Sequence, residues 1–405
     1  MANTFARTFA SLRVRNYRLF FTGQVISWTG TWVQWVAQGW LVLNLTHSGL
    51  GLGLVTALQW LPVLVFGAWA GVLADRFDKR RLLIFTNVSS GVLSLVLGIA
   101  TVTGVVTLWF VVVIALLLGV VTALDNPTRQ TFTFEMVGRE RLTNAVSLNT
   151  ATFTTARVIG PAVAGFMIAG VGIGQCFLLN AVSFIPIILA LSVMNKSELR
   201  PVEAVERARG QVREGWRYVR SQPILRSIMI MMALVGTLQY NFQVILPLLA
   251  KDTFAGDATT LGVMGVALGI GMFTGSMTNA AVGRPSRTVL IGAGFCLGAL
   301  TFAVAAAPNL VTAALLMVPL GAASMAFLAT MNSTLQLNSS DAMRGRVMAI
   351  YFVLFLGSTP IGAPIIGWLA ESFSPRIALA AGGMATLVAC TYGFLHLPKE
   401  QVEVP

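Results

Sequence analysis

Apolar runs of about 18 or more residues recur along the whole chain, and this recurrence limits the fold more than any other feature. As a helix, each run is long enough to cross a ~30 Å hydrocarbon layer. Of the 405 residues, 56% are hydrophobic and only 10% are charged, against roughly a quarter charged in an ordinary soluble domain. Such a chain could not bury its apolar surface in water. The sequence therefore predicts an all-α membrane protein with many crossings.

The runs predict twelve transmembrane helices, with bounds set by hydropathy. A basic and polar N-terminal segment precedes a first run that is too long for a signal-peptide core, which predicts an N-terminus on the inner side. The predicted spans are 19–44, 51–74, 82–102, 106–124, 143–170, 175–194, 227–250, 259–282, 288–306, 311–335, 347–370 and 375–396.

The distribution of basic residues supports this topology. With both termini cytoplasmic, the inner segments hold 24 of the 27 lysines and arginines, as is typical of multi-pass proteins of the cell membrane. Lys251 and Arg376 fall on the outer side, and Arg157 falls inside a span. The net charge of +12 is thereby explained as a topology signal with contact to anionic lipids, and it requires no nucleic-acid partner.

Similar residues recur at offsets of 202 or 203 positions, which indicates that one six-span half was duplicated. Two such halves related by a pseudo-twofold axis, with a long inner linker, are typical of transporters that work by alternating access. Apolar residues at helical spacing in the linker predict an amphipathic helix on the inner leaflet. The predicted domains are an N-terminal bundle at 1–194, the linker at 195–226 and a C-terminal bundle at 227–405. The recurring pairs are Gly119 and Gly321, Arg141 and Arg344, Pro161 and Pro364, and Gly165 and Gly367.

Four short segments resemble signatures of a known family. The segment 71–81, GVLADRFDKRR, resembles the inner-loop signature G-x-L-x-D-R-x-G-R-K/R of the major facilitator superfamily and departs from it at Asp78 and Lys79. The segment 160–165, GPAVAG, is similar to the antiporter signature G-P-x-x-G-G without its last glycine. The segments 125–130 and 344–351 resemble the bacterial exporter subgroup that includes the enterobactin exporter and multidrug pumps. The resemblance covers the whole chain and implies the major facilitator fold and export.

The charged run after span 2 has two interpretations. In the first, it only anchors and orients the ends of the helices. In the second, which the resemblance implies, Asp75 pairs with Arg344 or Arg346 before span 11 and holds an inner gate shut. Glycines at such a gate would let helices approach closely. The predicted gate residues are Gly71, Asp75, Arg76, Gly160, Pro161, Arg344 and Arg346.

Few carboxylates are available to carry a coupling proton, since none lies in the middle of a predicted span. The candidates are Asp75, Asp125, which directly follows span 4, and Asp341. Arg129 lies one helical turn after Asp125, so a local ion pair is the alternative to a proton-carrying role. The sequence leaves both roles open and predicts Asp75, Asp125 and Arg129 as the coupling residues.

Arg157 is the one charged residue at mid-membrane depth in the predicted spans. An uncompensated charge there costs at least ~2.5 kcal/mol, so its side chain should point into the bundle rather than at lipid. Three roles remain open for Arg157. It replaces the mid-membrane arginine that the family has in span 4, it binds an anionic group of the substrate, or backbone carbonyls satisfy it structurally.

Span 1 contains a polar stripe that predicts the wall of a substrate cavity. Its amide and hydroxyl residues recur every three or four positions, with tryptophans beside them, and a polar stripe in a bilayer must face protein or water. Span 7 carries a second group of amides at similar depth. This lining suits a large, partly aromatic, neutral or anionic molecule, whereas hydrogen bonding between helices would explain each amide as well. The predicted substrate-binding residues are Gln24, Trp28, Thr31, Gln34, Trp35, Thr154, Arg157, Gln239, Tyr240 and Asn241.

The sequence lacks the signatures of an enzyme. It contains no phosphate-binding loop, no nucleophile with its base and no zinc-ligand cluster, so neither a metal nor a cofactor is predicted. We expect a monomeric, proton-driven exporter of hydrophobic or siderophore-like small molecules, with protons and membrane lipids as further partners. A lipid or lysolipid flippase is the alternative within transport, and a sensor that has lost transport would keep the same fold.

Overall fold

The computed structural model describes residues 9–200, 211–282 and 286–398. Within these ranges the chain forms fourteen α-helices and no strand. The helices are α1 (Arg15–Thr46), α2 (Gly49–Arg76), α3 (Lys79–Val102), α4 (Leu108–Gly170), α5 (Ile173–Ser192), α6 (Gln211–Ser221), α7 (Pro223–Leu238), α8 (Phe242–Leu248, continuing as a π-helical turn at Leu249–Thr253), α9 (Ala258–Val282), α10 (Arg287–Ala305), α11 (Leu310–Leu337), α12 (Asp341–Leu356), α13 (Thr359–Ser372) and α14 (Pro375–His396).

Ten helical stretches of the described chain are long and apolar enough to cross a membrane. The 32-residue helix α1 is not among them, because its polar stripe lowers its hydropathy. Helix α4 counts once, although its 63 residues would extend ~95 Å if straight, about three times the hydrocarbon thickness. The chain is therefore an all-helical protein with many membrane-length helices.

Helix α4 joins the two spans that hydropathy predicts at 106–124 and 143–170. The chain stays helical through both, and the interruption inside α4 is a single residue, Gly138, with a φ of 69° that favours glycine. Arg200 packs at this kink, where its backbone N–H donates to the carbonyl oxygen of Glu135 at 3.0 Å. A helix that leaves the hydrocarbon layer can carry the charged residues between the two spans as well as a loop can.

Two other predicted spans are interrupted in the structure. The span at 227–250 divides between α7 and α8, and the span at 347–370 divides between α12 and α13. At the first break the side chain of Asn241 donates to the carbonyl oxygen of Thr237 at 2.7 Å, taking the acceptor that a continuous helix would give to the Asn241 N–H. At the second break Pro360 lies at the start of α13, where its missing N–H costs nothing.

Asp78, which departs from the family signature, has a local structural role. Its carboxylate accepts from the backbone N–H of Arg81 at 3.0 Å and so caps the N-terminus of α3. A side-chain acceptor at this position satisfies one of the free N–H groups at the start of a helix. The aspartate that replaces the usual glycine therefore stabilises the first turn of α3.

The chain divides into two compact units. The first unit contains residues Met1–Leu45 and Leu61–Val205, and the second contains Thr46–Trp60 and Glu206–Pro405. The first turns of α2 therefore group with the second unit, apart from the rest of that helix.

Small residues set the helix packing inside each unit. In the first unit α3 packs along α5, and Gly98 lies where a Cβ atom would meet the side chain of Leu178 at 2.7 Å. In the second unit α9 packs along α11, and Gly275 lies where a Cβ atom would meet the backbone of Ala322 at 2.5 Å. Close backbone approach through small residues is the usual way in which helices associate within a bilayer.

Candidate functional site

Asp125 and Arg129 form a mostly buried ion pair in the first unit. The Oδ2 atom of Asp125 accepts from Arg129 Nε at 2.8 Å and from Nη2 at 2.7 Å. The Oδ1 atom accepts from the hydroxyl of Thr86 on α3 at 2.7 Å. The side chains are 16% and 12% exposed. The local ion pair that the sequence left open is therefore present, and Thr86 is a partner that sequence reasoning missed.

The Arg129 guanidinium also contacts two aromatic rings of α1. Its carbon lies 5.7 Å from the centre of the Phe20 ring and 5.8 Å from that of Trp28, distances typical of cation–π contacts. Gln24 lies between these two residues, one turn from each. Arg129 Nη1 and both amide atoms of Gln24 are buried without a hydrogen-bond partner in the described chain. These three buried atoms therefore keep unused hydrogen-bonding capacity, although buried polar atoms in proteins usually have partners.

An aromatic row continues from Trp28 to a second arginine. Trp28 meets the ring of Phe153 edge-on at 5.3 Å, and Phe153 lies 5.7 Å from Trp32. Arg157 lies over the Trp32 ring at 5.4 Å and is half-buried. We call Arg129, Trp28, Phe153, Trp32 and Arg157 the arginine–aromatic row. In this row three aromatic rings lie between two arginines. Such a surface fits flat, partly aromatic molecules with neutral or anionic groups.

Gly160 positions this row. A Cβ atom at Gly160 would collide with Trp32, so the glycine lets α1 and α4 cross closely at the tryptophan. Pro161 follows it inside α4 and is buried. Trp35 extends the row at its far end, 4.7 Å from Trp32. Two predicted gate residues thus lie beside the row, and Phe153 is a member that sequence reasoning missed because a lone phenylalanine in an apolar span carries no distinguishing pattern.

The other predicted lining residues of the first unit are engaged within it. The Gln34 side chain accepts from Asn180 of α5 at 2.7 Å, and Asn180 also donates to Ser94 of α3 at 3.3 Å. The hydroxyl of Thr31 donates to the Ser27 carbonyl at 2.8 Å, and that of Thr154 to the Thr150 carbonyl at 2.9 Å. The Gln34 and Asn180 contacts join three helices, and the two threonine hydroxyls are satisfied by carbonyls of their own helix.

In the second unit, the predicted residues Gln239, Tyr240 and Asn241 lie at the break between α7 and α8. Gln239 Nε2 donates to the Thr301 hydroxyl at 2.9 Å, and the Tyr240 hydroxyl donates to the Ser324 carbonyl at 3.0 Å. The Gln239 and Asn241 side chains are only 2% and 3% exposed and line a small cavity of about 10 Å³. These residues therefore lie where the helix is interrupted.

The predicted inner gate is described only in part. The side chains of Asp75 and Asp341 lie outside the described residues; Gly71 is buried and Arg76 is exposed at the end of α2. Arg346 Nη1 pairs with Glu214 Oε2 of α6 at 2.7 Å, and Arg344 Nε donates to the Gln336 carbonyl at 3.0 Å. Sequence reasoning missed Glu214 as a partner, since nothing in the sequence brings the linker to α12.

The basic run 79–81 is partly structural. Lys79 Nζ and Glu135 Oε1 form a buried ion pair at 2.8 Å, with the side chains 9% and 8% exposed. Arg80 donates to the carbonyl oxygens of Leu191 and Ser192, each at 2.5 Å. Only Arg81 remains exposed, as a solvated anchor would be.

The first turns of α2 pack against α13 within the second unit. A Cβ atom at Gly49 would lie 2.7 Å from the carbonyl oxygen of Gly367, and one at Gly53 would collide with the carbonyl of Ala363. One turn beyond Gly367, Glu371 accepts from the Ser48 hydroxyl at 2.5 Å and from the Leu50 N–H at 2.9 Å. Two small-xxx-small pairs and a carboxylate cap therefore fasten the start of α2.

Residues 6–403 match the profile of a family described as transmembrane secretion effector. The chain belongs to this family. Its membership confirms the resemblance to the major facilitator superfamily that the motifs indicated. The family and its relatives are transporters, so the chain is a transporter and not an enzyme.

Three curated relatives of this secretion effector match along nearly its whole length. The staphyloferrin A transporter of Staphylococcus aureus is 25% identical over 385 residues, 91% of this chain and 93% of the relative. The multidrug efflux pump Tap of Mycolicibacterium fortuitum is 28% identical over 394 residues, 93% and 92% of the two chains. The enterobactin exporter EntS of Shigella flexneri is 23% identical over 375 residues, 92% and 89% of the two chains.

A solved structure supports the fold. A bacterial homologue of the human lysosomal transporter Spinster, in an inward-facing and unoccupied conformation, superposes with a TM-score of 0.72 at 13% identity, covering 95% of each chain. The likeness shows that this secretion effector has the fold of a major facilitator transporter. With its membrane-length helices, the protein is a multi-pass protein of the cell membrane.

Proposed function

We propose that this secretion effector is a proton-coupled exporter of hydrophobic or siderophore-like small molecules. The observation that carries the proposal is that Arg129 belongs both to the ion pair with Asp125 and to the arginine–aromatic row, because it joins a titratable group to a surface suited to substrate. The siderophore and multidrug transport of the named relatives supports the same substrate classes.

The proposed topology has twelve crossings with both termini cytoplasmic. α1 is the first crossing, the two parts of α4 on either side of Gly138 belong to two crossings, and the pairs α7 with α8 and α12 with α13 make one crossing each. The offsets of 202 or 203 residues support two halves related by pseudo-twofold symmetry, working as a monomer by alternating access. Membrane lipids surround the exposed apolar faces.

Coupling follows from the geometry of Asp125. The ionised carboxylate holds Arg129 through Nε and Nη2 and thereby keeps the guanidinium over Phe20 and Trp28. Protonation of Asp125 removes the charge that attracts Arg129, so the guanidinium leaves the rings and the wall of the site changes. Substrate then binds the ionised form better than the protonated form. Mutual exclusion of proton and substrate is what an antiporter requires.

Flux measurements on reconstituted liposomes test this function. Wild type and Asp125→Asn are challenged with siderophores, dyes and antibiotics under an imposed pH gradient, and proton movement is recorded. Asp78→Asn is the matched control, because Asp78 is exposed and asparagine still caps a helix. We expect one or more compounds to drive proton movement in wild type and in the control but not in Asp125→Asn.

Equal proton movement in all three proteins would contradict the role of Asp125. If no compound moves protons while a fluorescent lysolipid crosses the bilayer, the protein is a flippase instead. If a well-folded protein moves neither class of molecule, the transport proposal itself fails and a sensor on the same fold takes its place.

A further inference from the structure

Helix α6 presents two different faces. One face, which we call the docked face, turns towards α12 in the second unit and carries Glu214, Gly215, Tyr218 and Val219. The opposite face carries Arg213, Trp216, Arg217 and Arg220, all of them exposed. These four residues, which we call the arginine face, recur at spacings of three, one and three residues, so they share one side of a helix.

The docked face is held by specific contacts. Glu214 pairs with Arg346 at 2.7 Å, and the Tyr218 hydroxyl accepts from the backbone N–H of Ser340 at 3.1 Å. Gly215 lies against the Arg346 side chain, where a Cβ atom would be only 3.1 Å from the arginine Cβ, and Val219 is 2% exposed. The amphipathic helix predicted for the linker thus packs on α12 through this face.

The arginine face lies at the border of the membrane. Helix α6 ends at Ser221, and only Gln222 separates it from Pro223, the first residue of a membrane-length helical stretch. Arg220 stacks over the Trp216 ring at 6.0 Å, and Trp216 is 43% exposed. Tryptophan beside arginine at such a border is the composition that binds the headgroup layer.

We propose that the arginine face binds the headgroups of anionic phospholipids and thereby keeps α6 docked on Arg346. Three exposed guanidinium groups match the charge of anionic lipid headgroups, and no carboxylate shares their face of the helix. Because Glu214 on the docked face holds Arg346, the lipid composition of the membrane sets how firmly this arginine at the start of α12 is engaged. The contact does not depend on proton coupling.

Chymotrypsin reports on docking, because it cleaves after Trp216 and Tyr218 only when α6 is released. The protein is placed in nanodiscs of phosphatidylcholine alone, or of phosphatidylcholine and phosphatidylglycerol in equal parts, and the fragments are identified by mass spectrometry. An arginine near an anionic surface contributes a factor of about fivefold in binding. We therefore expect cleavage of wild type at these sites to be at least about fivefold slower with phosphatidylglycerol, and the ratio to shrink at high salt.

Two triple variants separate charge from shape. Arg213→Gln with Arg217→Gln and Arg220→Gln should be cleaved at the same rate in both lipids, whereas the matched Arg→Lys triple should keep the protection. The triple Arg13→Gln, Arg15→Gln and Arg18→Gln removes equal charge elsewhere and should also keep it. Glu214→Gln should be cleaved faster than wild type in both lipids, because it loses the pair with Arg346.

Either of two results overturns the proposal. The first is equal cleavage of wild type in both lipids. The second is protection by phosphatidylglycerol that is undiminished in the Arg→Gln triple, since the effect would then arise elsewhere on the protein. Both outcomes can be read in protein that still transports, so they are distinguishable from a failure of the proposed export function.

Discussion

The interiors of the two units differ in kind. The first unit buries the ion pairs Lys79–Glu135 and Asp125–Arg129, and it carries the arginine–aromatic row. At the break between α7 and α8, the second unit buries neutral amides and hydroxyls, among them Gln239 and Asn241. Within the described residues, the two ion pairs that are mostly buried therefore both lie in the first unit.

The largest expected effect is a loss of protein stability when a buried ion pair of the first unit is broken. Glu135→Gln leaves Lys79 as an unpaired buried cation, which should cost about 3–5 kcal/mol and lower the Tm of the detergent-solubilised protein strongly. The double variant Lys79→Met with Glu135→Leu removes both charges and should recover most of the Tm. A double variant as unstable as the single one would show that packing, rather than the unpaired charge, dominates.

The next effect concerns substrate affinity at Arg157. Its guanidinium lies over the Trp32 ring, so Arg157→Gln should weaken binding of an aromatic or anionic compound by roughly tenfold, about 1.4 kcal/mol. Arg157→Lys keeps the charge but loses the flat contact and should fall between the two. Tryptophan fluorescence titration of the purified protein measures the affinities. Unchanged affinity in Arg157→Gln would leave Arg157 with a structural role.

A substitution at the buried amides of the second unit should change substrate affinity less. Gln239→Leu removes a hydrogen bond to Thr301, but the Thr301 hydroxyl keeps its own bond to the Leu297 carbonyl, and an unpartnered Gln239 oxygen is removed. We expect a change below about 1.5 kcal/mol in stability and near-normal substrate affinity. A loss of affinity as large as that of Arg157→Gln would break the asymmetry between the units.

The smallest expected effect lies at the N-terminal end of α2. Glu371→Ala removes the carboxylate that accepts from Ser48 and Leu50, which should cost about 1 kcal/mol and lower the Tm slightly. Ser372→Ala alters the exposed neighbouring residue and serves as the control. An unchanged Tm in Glu371→Ala would show that the glycine contacts alone fasten this end of α2.

The all-helical membrane architecture could be predicted from the sequence because apolar runs of membrane length have few alternatives in water. The continuity of α4 could not, since charges between two spans suit a loop or a helix, and only the φ of Gly138 reveals a kink within a helix. The breaks around Asn241 and Gly357 were also hidden, because both lie within apolar runs.

The contacts of the candidate site could also be predicted from the sequence only in part. Local pairs such as Asp125 with Arg129 could be predicted, because residues four apart meet on a helix. Partners on other helices could not, and Thr86, Glu135 and Phe153 became visible only when α1, α3 and α4 were packed. Tertiary contacts of this kind leave no periodic signal in a single sequence.

The pH dependence of substrate affinity tests most directly whether proton and substrate exclude each other at Asp125. The Kd of a compound that drives proton movement is measured in detergent across a series of pH values, for wild type and Asp125→Asn. We expect wild-type affinity to fall as the pH is lowered, by up to about tenfold per pH unit, and the variant to bind weakly at every pH. Wild-type affinity that is independent of pH, or a variant that follows the same pH curve, would contradict the proposed coupling.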